Sequence, residues 1–310
     1  MSRYVTVASV SHDPACGADR VRVLEQAGYH AERAAHQGAD IVAFPECYPQ
    51  VGHPRGWDGM IELAEGLDGP TITAMAGRAK QLGMHIVWPT LTREGEVLRN
   101  SSVLLDPRGE IRGVYHKRHP TIGEIENGVL PGTDAGVFDT DLGRVGLCIC
   151  FDLNFEDTMT GLGAAGEEVV FFSSMYRGGL QVRMWAYLLG TYMVSAITGE
   201  LGVIVDQGGE VLAESTSDIT IVRRVNLDSR LMHLDENQEK LDAMLGKYGP
   251  DISFRYHSRE GCFTLASERD GLSVDDLMGE FGLESRADYF ARSNRRREEA
   301  LIASEQGRQA

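Results

Sequence analysis

Short apolar runs alternate with helix-like segments along much of this 310-residue chain. Apolar spacing predicts helices over residues 19–37 and 70–82, since Gly38 and Gly83 supply stop signals and Pro70 suits a first turn. The intervening apolar runs are typical of buried strands. These strand candidates are Tyr4–Val10, Asp40–Phe44, Met84–Trp88, Val145–Ile149 and Val169–Phe172. Such alternation favours sheets that are covered by helices.

Turn-forming residues predict where the chain reverses. Pro89 is expected to end its strand, and residues 92–115 are predicted to form a meander with turns at 94–95 and 106–109. A further helix over about 180–191 precedes strands at 192–197, 201–205 and 219–225, with a turn at 207–210 linking the last two. The whole pattern predicts an α/β fold of two mixed sheets packed face to face, with helices outside.

The pattern changes beyond Asp228. Ser273 and Asp276 have the spacing of a capping box, and Gly282 is positioned to end the helix that would follow. We therefore predict one domain over residues 1–266 and a helical extension over residues 267–310.

Charge and cysteine usage limit the classes of partner and compartment. A formal charge of −16 disfavours nucleic acid and anionic membranes, because both require a basic surface. No segment approaches the roughly 20 apolar residues of a membrane span, and no signal-peptide pattern is seen. Five cysteines without a regular framework fit reduced thiols. A cytoplasmic protein without a membrane or nucleic-acid partner is expected.

Three segments each place one chemically useful group after an apolar strand. They are Phe44-Pro45-Glu46, Tyr115-His116-Lys117 and Cys148-Ile149-Cys150-Phe151-Asp152. Taken singly, a solvated glutamate, a surface lysine and a buried cysteine are the simpler interpretations. Taken together, a carboxylate, an ammonium and a thiol at strand ends favour a catalytic site, because the three groups supply a base, an oxyanion partner and a nucleophile.

The residue types suggest a role for each group. Cys150 would attack carbon, provided that its pKa is lowered or a base lies beside it. Glu46 would be that base, and would later protonate the leaving amine and activate water. Lys117 would stabilise the oxyanion together with the backbone N–H of Phe151.

These motifs, in this order over residues 4–228, resemble the carbon–nitrogen hydrolase (nitrilase) superfamily. The resemblance implies a four-layer αββα sandwich that dimerises to αββα–αββα. It also implies a Glu46–Lys117–Cys150 triad that works through a covalent thioester or thioimidate without a cofactor. Many members add a second, substrate-positioning glutamate. The seven-residue offset from Lys117 assigns that role to Glu124, with Glu126 as the alternative.

Two departures from the family pattern bear on the substrate. The loop after the nucleophile contains Leu153-Asn154-Phe155-Glu156, whereas many members have Arg-Phe-Pro-Glu there. True nitrilases typically have Cys-Trp-Glu, whereas this chain has Cys150-Phe151-Asp152. The amidase/carbamoylase-like branch is therefore favoured, with a small-molecule amide or N-carbamoyl substrate. A nitrilase with the same triad and a non-catalytic binding protein on the same fold are the alternatives.

Residues near the predicted strand ends are candidates for binding substrate, although simple packing explains them equally well. They are Tyr48, Ser174, Met175 and Tyr176, with Ser173, Trp57 and Trp185 as further possibilities. Cys148 is expected to point to the same side as Cys150, so that the pair, near His116 and His119, could bind metal. A second matching ligand pair is absent from the sequence, so no metal or cofactor is expected.

Overall fold

The computed structural model describes residues 3–11, 18–199, 201–216 and 219–309. These residues divide into two compact units, residues 4–227 and the segment from Asp228 onward together with Arg3. This division at Asp228 differs from the domain boundary that we predicted at residue 266, and that boundary stays a prediction. Within the described residues, no helix is both long enough and apolar enough to cross a membrane.

Residues 4–227 contain two six-stranded sheets. The strands are β1 (Tyr4–Val10), β2 (Ile41–Ala43), β3 (His85–Glu94), β4 (Val97–Leu105), β5 (Ile111–His116), β6 (Val137–Asp139), β7 (Arg144–Ile149), β8 (Val169–Ser174), β9 (Tyr192–Ile197), β10 (Val203–Val205), β11 (Val211–Glu214) and β12 (Thr220–Asn226). The first sheet has the order β12-β1-β2-β3-β4-β5, and the second has the order β11-β10-β9-β8-β7-β6. Parallel pairs lie at the centre of each sheet and antiparallel pairs lie towards its edges, so both sheets are mixed.

Helices lie in the segments that connect these strands. They are α1 (Arg20–His36), α2 (Gly56–Glu62), α3 (Pro70–Leu82), α4 (Ile122–Glu126), α5 (Glu156–Ala165) and α6 (Gly179–Leu189). One apolar cluster joins the facing sides of the two sheets through residues such as Val7, Leu104 and Phe171. Two further clusters pack α1 and α3 on the first sheet, and α5 and α6 on the second. The predicted four-layer αββα fold is confirmed.

The prediction that Pro89 ends its strand was wrong. β3 continues to Glu94, and Pro89 pairs in register with Ser102 of β4. The carbonyl of Pro89 accepts a hydrogen bond from the N–H of Tyr48, so the missing N–H of the proline faces the loop after β2. Because β2 has already ended at Ala43, no ladder hydrogen bond is lost there.

The turn at residues 207–210 does not link the two predicted strands directly. It leads from β10 into β11, which pairs with β10 at the edge of the second sheet. β12 instead pairs with β1 in the first sheet. The four residues of β11 are too few to give a clear alternation, which is why the sequence did not reveal this strand.

The second unit has its own small core. It contains the strands β13 (Ser229–His233), β14 (Ile252–His257) and β15 (Cys262–Ser267) and the helices α7 (Leu241–Tyr248), α8 (Val274–Phe281) and α9 (Arg286–Gln309). Its antiparallel sheet has the order β13-β15-β14. The capping box of Ser273 and Asp276 and the end of α8 at Gly282 are confirmed. The sheet and α7 were not predicted.

Candidate active site

Three strand ends bring the predicted catalytic groups together. Glu46 lies three residues beyond β2, Lys117 directly follows β5, and Cys150 directly follows β7. The backbone N–H of Met175, which follows β8, donates to Glu46 Oε2 at 3.2 Å. This hydrogen bond connects the end of β8 in the second sheet to Glu46, which follows β2 in the first sheet. The strand ends that carry Glu46, Lys117 and Cys150 therefore meet at one site.

Lys117 lies between two carboxylates. Its Nζ donates to Glu46 Oε1 at 2.7 Å and to Glu124 Oε2 at 2.8 Å. The relative exposures of Lys117, Glu46 and Glu124 are only 1%, 2% and 3%. The third N–H of the ammonium has no partner among the described residues, and it therefore remains available to an incoming oxygen.

The structure places Glu124, rather than Glu126, beside Lys117. Glu124 occupies the third position of α4, where it forms a capping box with Thr121: its Oε2 accepts the Thr121 N–H at 2.7 Å, and its own N–H donates to Thr121 Oγ1 at 3.2 Å. Glu126 is exposed on the same short helix. The capping box thus orients the carboxylate of Glu124 towards the ammonium.

Asn100 is a member of the site that the sequence did not indicate. Its Nδ2 donates to Glu46 Oε1 at 2.8 Å and to Glu124 Oε1 at 2.7 Å, and the residue is almost fully buried in β4. Lys117 and Asn100 therefore bridge the same pair of carboxylates. No local motif marks Asn100, because it lies in a strand of ordinary composition; its partners appear only when β4 pairs with β5.

Cys150 begins a 3₁₀ helix over Cys150–Asn154 and has a φ of 47°. A positive φ is strained for a residue with a side chain, and such strain often marks functional turns. The thiol lies beside the side chains of Glu46 and Ser174. Burial and the charge of Glu46 raise the pKa of the Cys150 thiol to about 12, against the partial opposition of Lys117. The resting sulfur is therefore protonated, with a base beside it.

The buried charges stabilise one another. Burial alone would lower the pKa of Lys117, but the charges of Glu46 and Glu124 and the hydrogen bond to Glu124 outweigh it and hold the pKa well above its usual range. Burial likewise acts to raise the pKa of Glu124, but the Lys117 ammonium and the hydrogen bonds from Lys117, Asn100 and Thr121 hold it below its usual value. Lys117 and Glu124 are therefore both ionised at neutral pH.

Asp152 braces the turn that carries the thiol. Its Oδ2 accepts the Tyr115 hydroxyl at 2.7 Å and the Ile149 N–H at 3.0 Å, and its Oδ1 accepts the His119 N–H at 2.8 Å. Burial raises the pKa of this carboxyl, while these hydrogen bonds oppose the rise. Through these bonds, Asp152 connects the turn that carries Cys150 to the segment around Lys117.

Phe151 lies in the first turn of the 3₁₀ helix Cys150–Asn154. Backbone N–H groups in a first helical turn lack acceptors within the helix, so they are available to other oxygens. The placement suits the predicted oxyanion role of its N–H.

The substrate-binding candidates occupy different surroundings. Ser174 is buried beside the Cys150 thiol and accepts the Tyr176 N–H at 2.9 Å. Met175 is 40% exposed beside Glu46, and the hydroxyl of Tyr176 accepts a hydrogen bond from Asn154 at 3.3 Å. Contact between substrate and these three residues stays a prediction.

The aromatic candidates have clear packing roles. Tyr48 is fully buried, and its ring packs against Phe44 and Trp88. Trp57 packs against an apolar cluster, and Trp185 donates from its indole to the carbonyl of Leu153 at 2.9 Å. Packing explains all three, and any contact with substrate stays a prediction.

The expectation that Cys148 and Cys150 point to one side was wrong. Cys148 is buried in the cluster beneath α5 and α6, whereas Cys150 packs against the core between the sheets. The positive φ of Cys150 turns the chain away from strand alternation at that point. His116 bonds to Ser101 through Nδ1, and His119 stacks on Phe155, so neither ring is shown joining the cysteines.

Sequence comparison with known proteins relates this chain to one protein family. The family model described as carbon-nitrogen hydrolase matches residues 6–226. A nitrilase from Pyrococcus abyssi is 34% identical over 142 residues, which cover 45% of this chain and 53% of that protein. A beta-ureidopropionase from Arabidopsis thaliana is 33% identical over 183 residues, 54% of this chain and 44% of the relative. The chain thus spans about half the length of these curated relatives.

A solved structure shares the fold at lower identity. It is a mutant of the amidase from Nesterenkonia sp. AN1, with a TM-score of 0.59, 19% identity and coverage of 72% of this chain and 90% of the other. That structure is described as showing covalent addition of the acetamide moiety of fluoroacetamide at the active site cysteine of the amidase.

Proposed function

Because this chain belongs to the carbon–nitrogen hydrolase family, we propose that it hydrolyses a small-molecule amide or N-carbamoyl C–N bond through Cys150. The observation that carries the proposal is the buried cluster in which Glu46 accepts a hydrogen bond from the Lys117 ammonium and lies near enough to the Cys150 thiol to raise its pKa. The covalent adduct on the cysteine of the Nesterenkonia amidase supports the same route.

The first half-reaction forms a thioester. Glu46 takes the proton of Cys150 while the sulfur attacks the carbonyl carbon, which is consistent with a thiol that is neutral at rest. Negative charge develops on the carbonyl oxygen, where the free N–H of Lys117 and the backbone N–H of Phe151 stabilise it. The C–N bond then breaks, and the proton held by Glu46 passes to ammonia or the amine.

The second half-reaction releases the product. Glu46, ionised again, takes a proton from water as the water oxygen attacks the thioester carbon. The C–S bond breaks, the proton returns to the sulfur, and a carboxylic or carbamic acid leaves. Glu124 holds Lys117 in place throughout, and we assign to it the substrate-positioning role of the second glutamate. No step requires a cofactor.

A nitrile substrate is the second candidate, favoured by the likeness to the Pyrococcus nitrilase. Attack on a nitrile would give a thioimidate, which two waters convert to acid and ammonia with the same residues. The Cys150-Phe151-Asp152 sequence, in place of Cys-Trp-Glu, favours the amide over the nitrile.

The test is a mixed panel of amides, N-carbamoyl compounds and nitriles, with released ammonia or amine as the readout. We expect turnover of at least one amide or carbamoyl compound, and loss of turnover in the Cys150→Ala variant with an unchanged circular dichroism spectrum. Turnover of nitriles alone would exclude the amide proposal. Appreciable turnover by Cys150→Ala would exclude the covalent route.

We also propose that the protein is a cytoplasmic homodimer or higher homo-oligomer that acts on a small-molecule substrate and has no nucleic-acid or membrane partner. Helix α6 presents Leu180, Met184 and Leu188 with exposures of 79%, 40% and 48%. This four-residue spacing aligns them on one helix face, and such an apolar stripe is typical of an interface. A mass in solution equal to that of the 34.0 kDa monomer would contradict the dimer.

A further inference from the structure

Tyr176 brings a hydroxyl group from the loop after β8 to the turn that carries Cys150. This hydroxyl accepts a hydrogen bond from Asn154 Nδ2 at 3.3 Å, and the same Nδ2 donates to the carbonyl of Phe151 at 3.1 Å. Asn154 is the last residue of the 3₁₀ helix that Cys150 begins. The Tyr176 hydroxyl is therefore fixed in position relative to the proposed nucleophile.

The backbone of the same loop is also held at the site. The N–H of Met175 donates to Glu46 at 3.2 Å, and the N–H of Tyr176 donates to Ser174 Oγ at 2.9 Å. Burial, and then the nearby Cys150 and Glu46 side chains, raise the pKa of Tyr176 above its usual range. The hydroxyl thus keeps its proton at neutral pH and lies close to the proposed reacting groups.

The proton of this hydroxyl has only a weak acceptor. Among the residues that the structure describes, that acceptor is Gln181 Oε1 at 3.5 Å, which is longer than the roughly 2.5–3.0 Å that is usual between two oxygens. Gln181 is engaged elsewhere, because its Nε2 donates to Asn154 Oδ1 at 2.8 Å. A protonated donor with so distant an acceptor is stabilised by a ligand oxygen that comes closer.

The hydroxyl lies where a ligand can reach it. The Tyr176 ring packs edge-on against Phe172, with 5.9 Å between the ring centroids, so packing fixes the ring. Cys150 and Tyr176 are both partly exposed, and Asn154 beside the hydroxyl is exposed. A small molecule that is bonded to the Cys150 sulfur can therefore approach the hydroxyl.

Asn154 is also a point at which this chain departs from the family pattern. It stands second in Leu153-Asn154-Phe155-Glu156, where many members have the phenylalanine of Arg-Phe-Pro-Glu. A phenylalanine has no N–H to donate to the Tyr176 hydroxyl or to the carbonyl of Phe151. The anchored hydroxyl is thus a property of this chain and not of the general pattern.

We propose that Tyr176 determines part of the substrate specificity by donating a hydrogen bond to an oxygen in the group attached to the scissile carbonyl. Asn154 is the positioning residue for this hydroxyl. The contact is to the acyl side, because the acyl group stays bonded to sulfur between the two half-reactions. The favoured substrates are short amides with an ether, carbonyl or hydroxyl oxygen near the scissile bond. This inference rests on the proposed hydrolysis.

The test compares two amides of nearly equal size. Methoxyacetamide carries an ether oxygen that can only accept a hydrogen bond, and butyramide carries a methylene group in its place. In Tyr176→Phe, the ratio of kcat/KM for methoxyacetamide to that for butyramide should fall about three- to tenfold, the usual net effect of one hydrogen bond. Both enzymes meet the same intrinsic reactivity of the two amides, so the change in the ratio measures the hydroxyl.

Tyr29→Phe is the matched control, because Tyr29 is 58% exposed on α1. It should leave the ratio unchanged. Asn154→Ala should lower the ratio as well, and provides a second measurement if Tyr176→Phe does not fold.

Two results would overturn the role of Tyr176: an unchanged ratio in Tyr176→Phe, or an equal loss of kcat/KM for both amides, as a purely structural role predicts. Turnover of other amides but of neither member of this pair would overturn the substrate class alone. Absence of turnover with every amide and carbamoyl compound would overturn the proposed function, and this inference with it.

Discussion

At the scale of single residues, the notable property of the candidate site is a thiol, the proposed nucleophile, that rests in its neutral form. Many reactive cysteines have lowered pKa values, but burial and the Glu46 carboxylate push the pKa of Cys150 to about 12. The sequence led us to expect either a lowered pKa or an adjacent base; the pKa is not lowered, and Glu46 lies beside the thiol. The proposed mechanism therefore depends on proton transfer to Glu46 rather than on a standing thiolate.

Glu46→Gln should separate reactivity of the sulfur from turnover. Removing the carboxylate charge lowers the pKa of Cys150, so the rate of iodoacetamide alkylation should rise at lower pH than in the wild type, while hydrolysis is lost with the base. The measurement is the alkylation rate at Cys150 between neutral and strongly alkaline pH, by mass spectrometry. Glu126→Gln, at an exposed position, is the control. An unchanged alkylation profile in Glu46→Gln would remove the electrostatic argument.

Asn100→Ala should reduce turnover without removing a reacting group. Without the Asn100 amide, the buried carboxylates of Glu46 and Glu124 each lose one hydrogen-bond donor. One unsatisfied buried polar group costs about 1–3 kcal/mol, which corresponds to a decrease in rate of roughly tenfold to a hundredfold. Since Asn100 helps to lower the pKa of Glu124, the acid limb of kcat/KM should also move to higher pH. Ser102→Ala, in the same strand, is the control. A purely structural role would change stability but leave the pH profile in place.

The sequence identified the residues that carry a local signature and missed those that do not. Glu46, Lys117 and Cys150 each follow a recognisable strand, and the structure brings all three together. Asn100 and the bracing bonds of Asp152 depend on pairing between distant segments, which no single stretch of sequence encodes. Glu124 was distinguished from Glu126 only by the family offset, and its capping box is the local signal that supports the choice.

At the scale of elements, helix ends were more predictable than strand ends. Pro70 and Gly83 delimit α3 as expected, because one lacks an N–H and the other adopts a left-handed φ of 64°. The N-terminus of α3 is nevertheless capped by Glu65, whose carboxylate accepts the N–H groups of Thr71 and Ile72. Such a cap from outside the helix, like the continuation of β3 through Pro89, depends on tertiary neighbours and cannot be predicted locally.

Gly132→Ala should damage the site through the backbone. A Cβ at this position would lie 2.1 Å from the carbonyl oxygen of His116, and the N–H of Gly132 donates to the carbonyl of Lys117 at 2.8 Å. The methyl group must therefore displace the segment that presents the ammonium, and a displacement of about 1 Å can cost about a hundredfold in kcat/KM.

Gly123→Ala is the control for that substitution. Gly123 lies in α4, where an added Cβ would meet no other atom within 4 Å, and alanine favours a helix by about 1 kcal/mol over glycine. Turnover should be retained in Gly123→Ala. Retention in Gly132→Ala as well would show that the loop moves without disturbing Lys117.

At the scale of the whole molecule, one buried carboxyl outside the site makes stability depend on pH. Burial raises the pKa of Glu167 from 4.5 to about 7, and within the described residues its Oε2 has no hydrogen-bond partner. The folded state binds the proton more tightly than the unfolded state. Stability is therefore lost as pH rises from about 4.5 to about 7.

Glu167→Gln should remove that loss. Between acidic and mildly alkaline pH, the free energy of unfolding of the variant should rise relative to that of the wild type by on the order of 1–3 kcal/mol. The reason is that a tenfold difference in proton affinity between the folded and unfolded states is worth about 1.4 kcal/mol. The free energy of unfolding from urea titrations at both pH values provides the measurement, with Glu96→Gln at an exposed turn as the control. An equal difference between variant and wild type at the two pH values would show that Glu167 titrates normally.

The neutral resting state of Cys150 also affects how readily its sulfur is oxidised. Hydrogen peroxide and similar oxidants attack the thiolate rather than the thiol, so a sulfur with a pKa of about 12 offers them little target. Enzymes with a standing thiolate lose activity to sulfenic and sulfinic acid under such conditions. The thiol of Cys150, our proposed nucleophile, is neutral at rest, so turnover by this chain should survive peroxide levels that inactivate such enzymes.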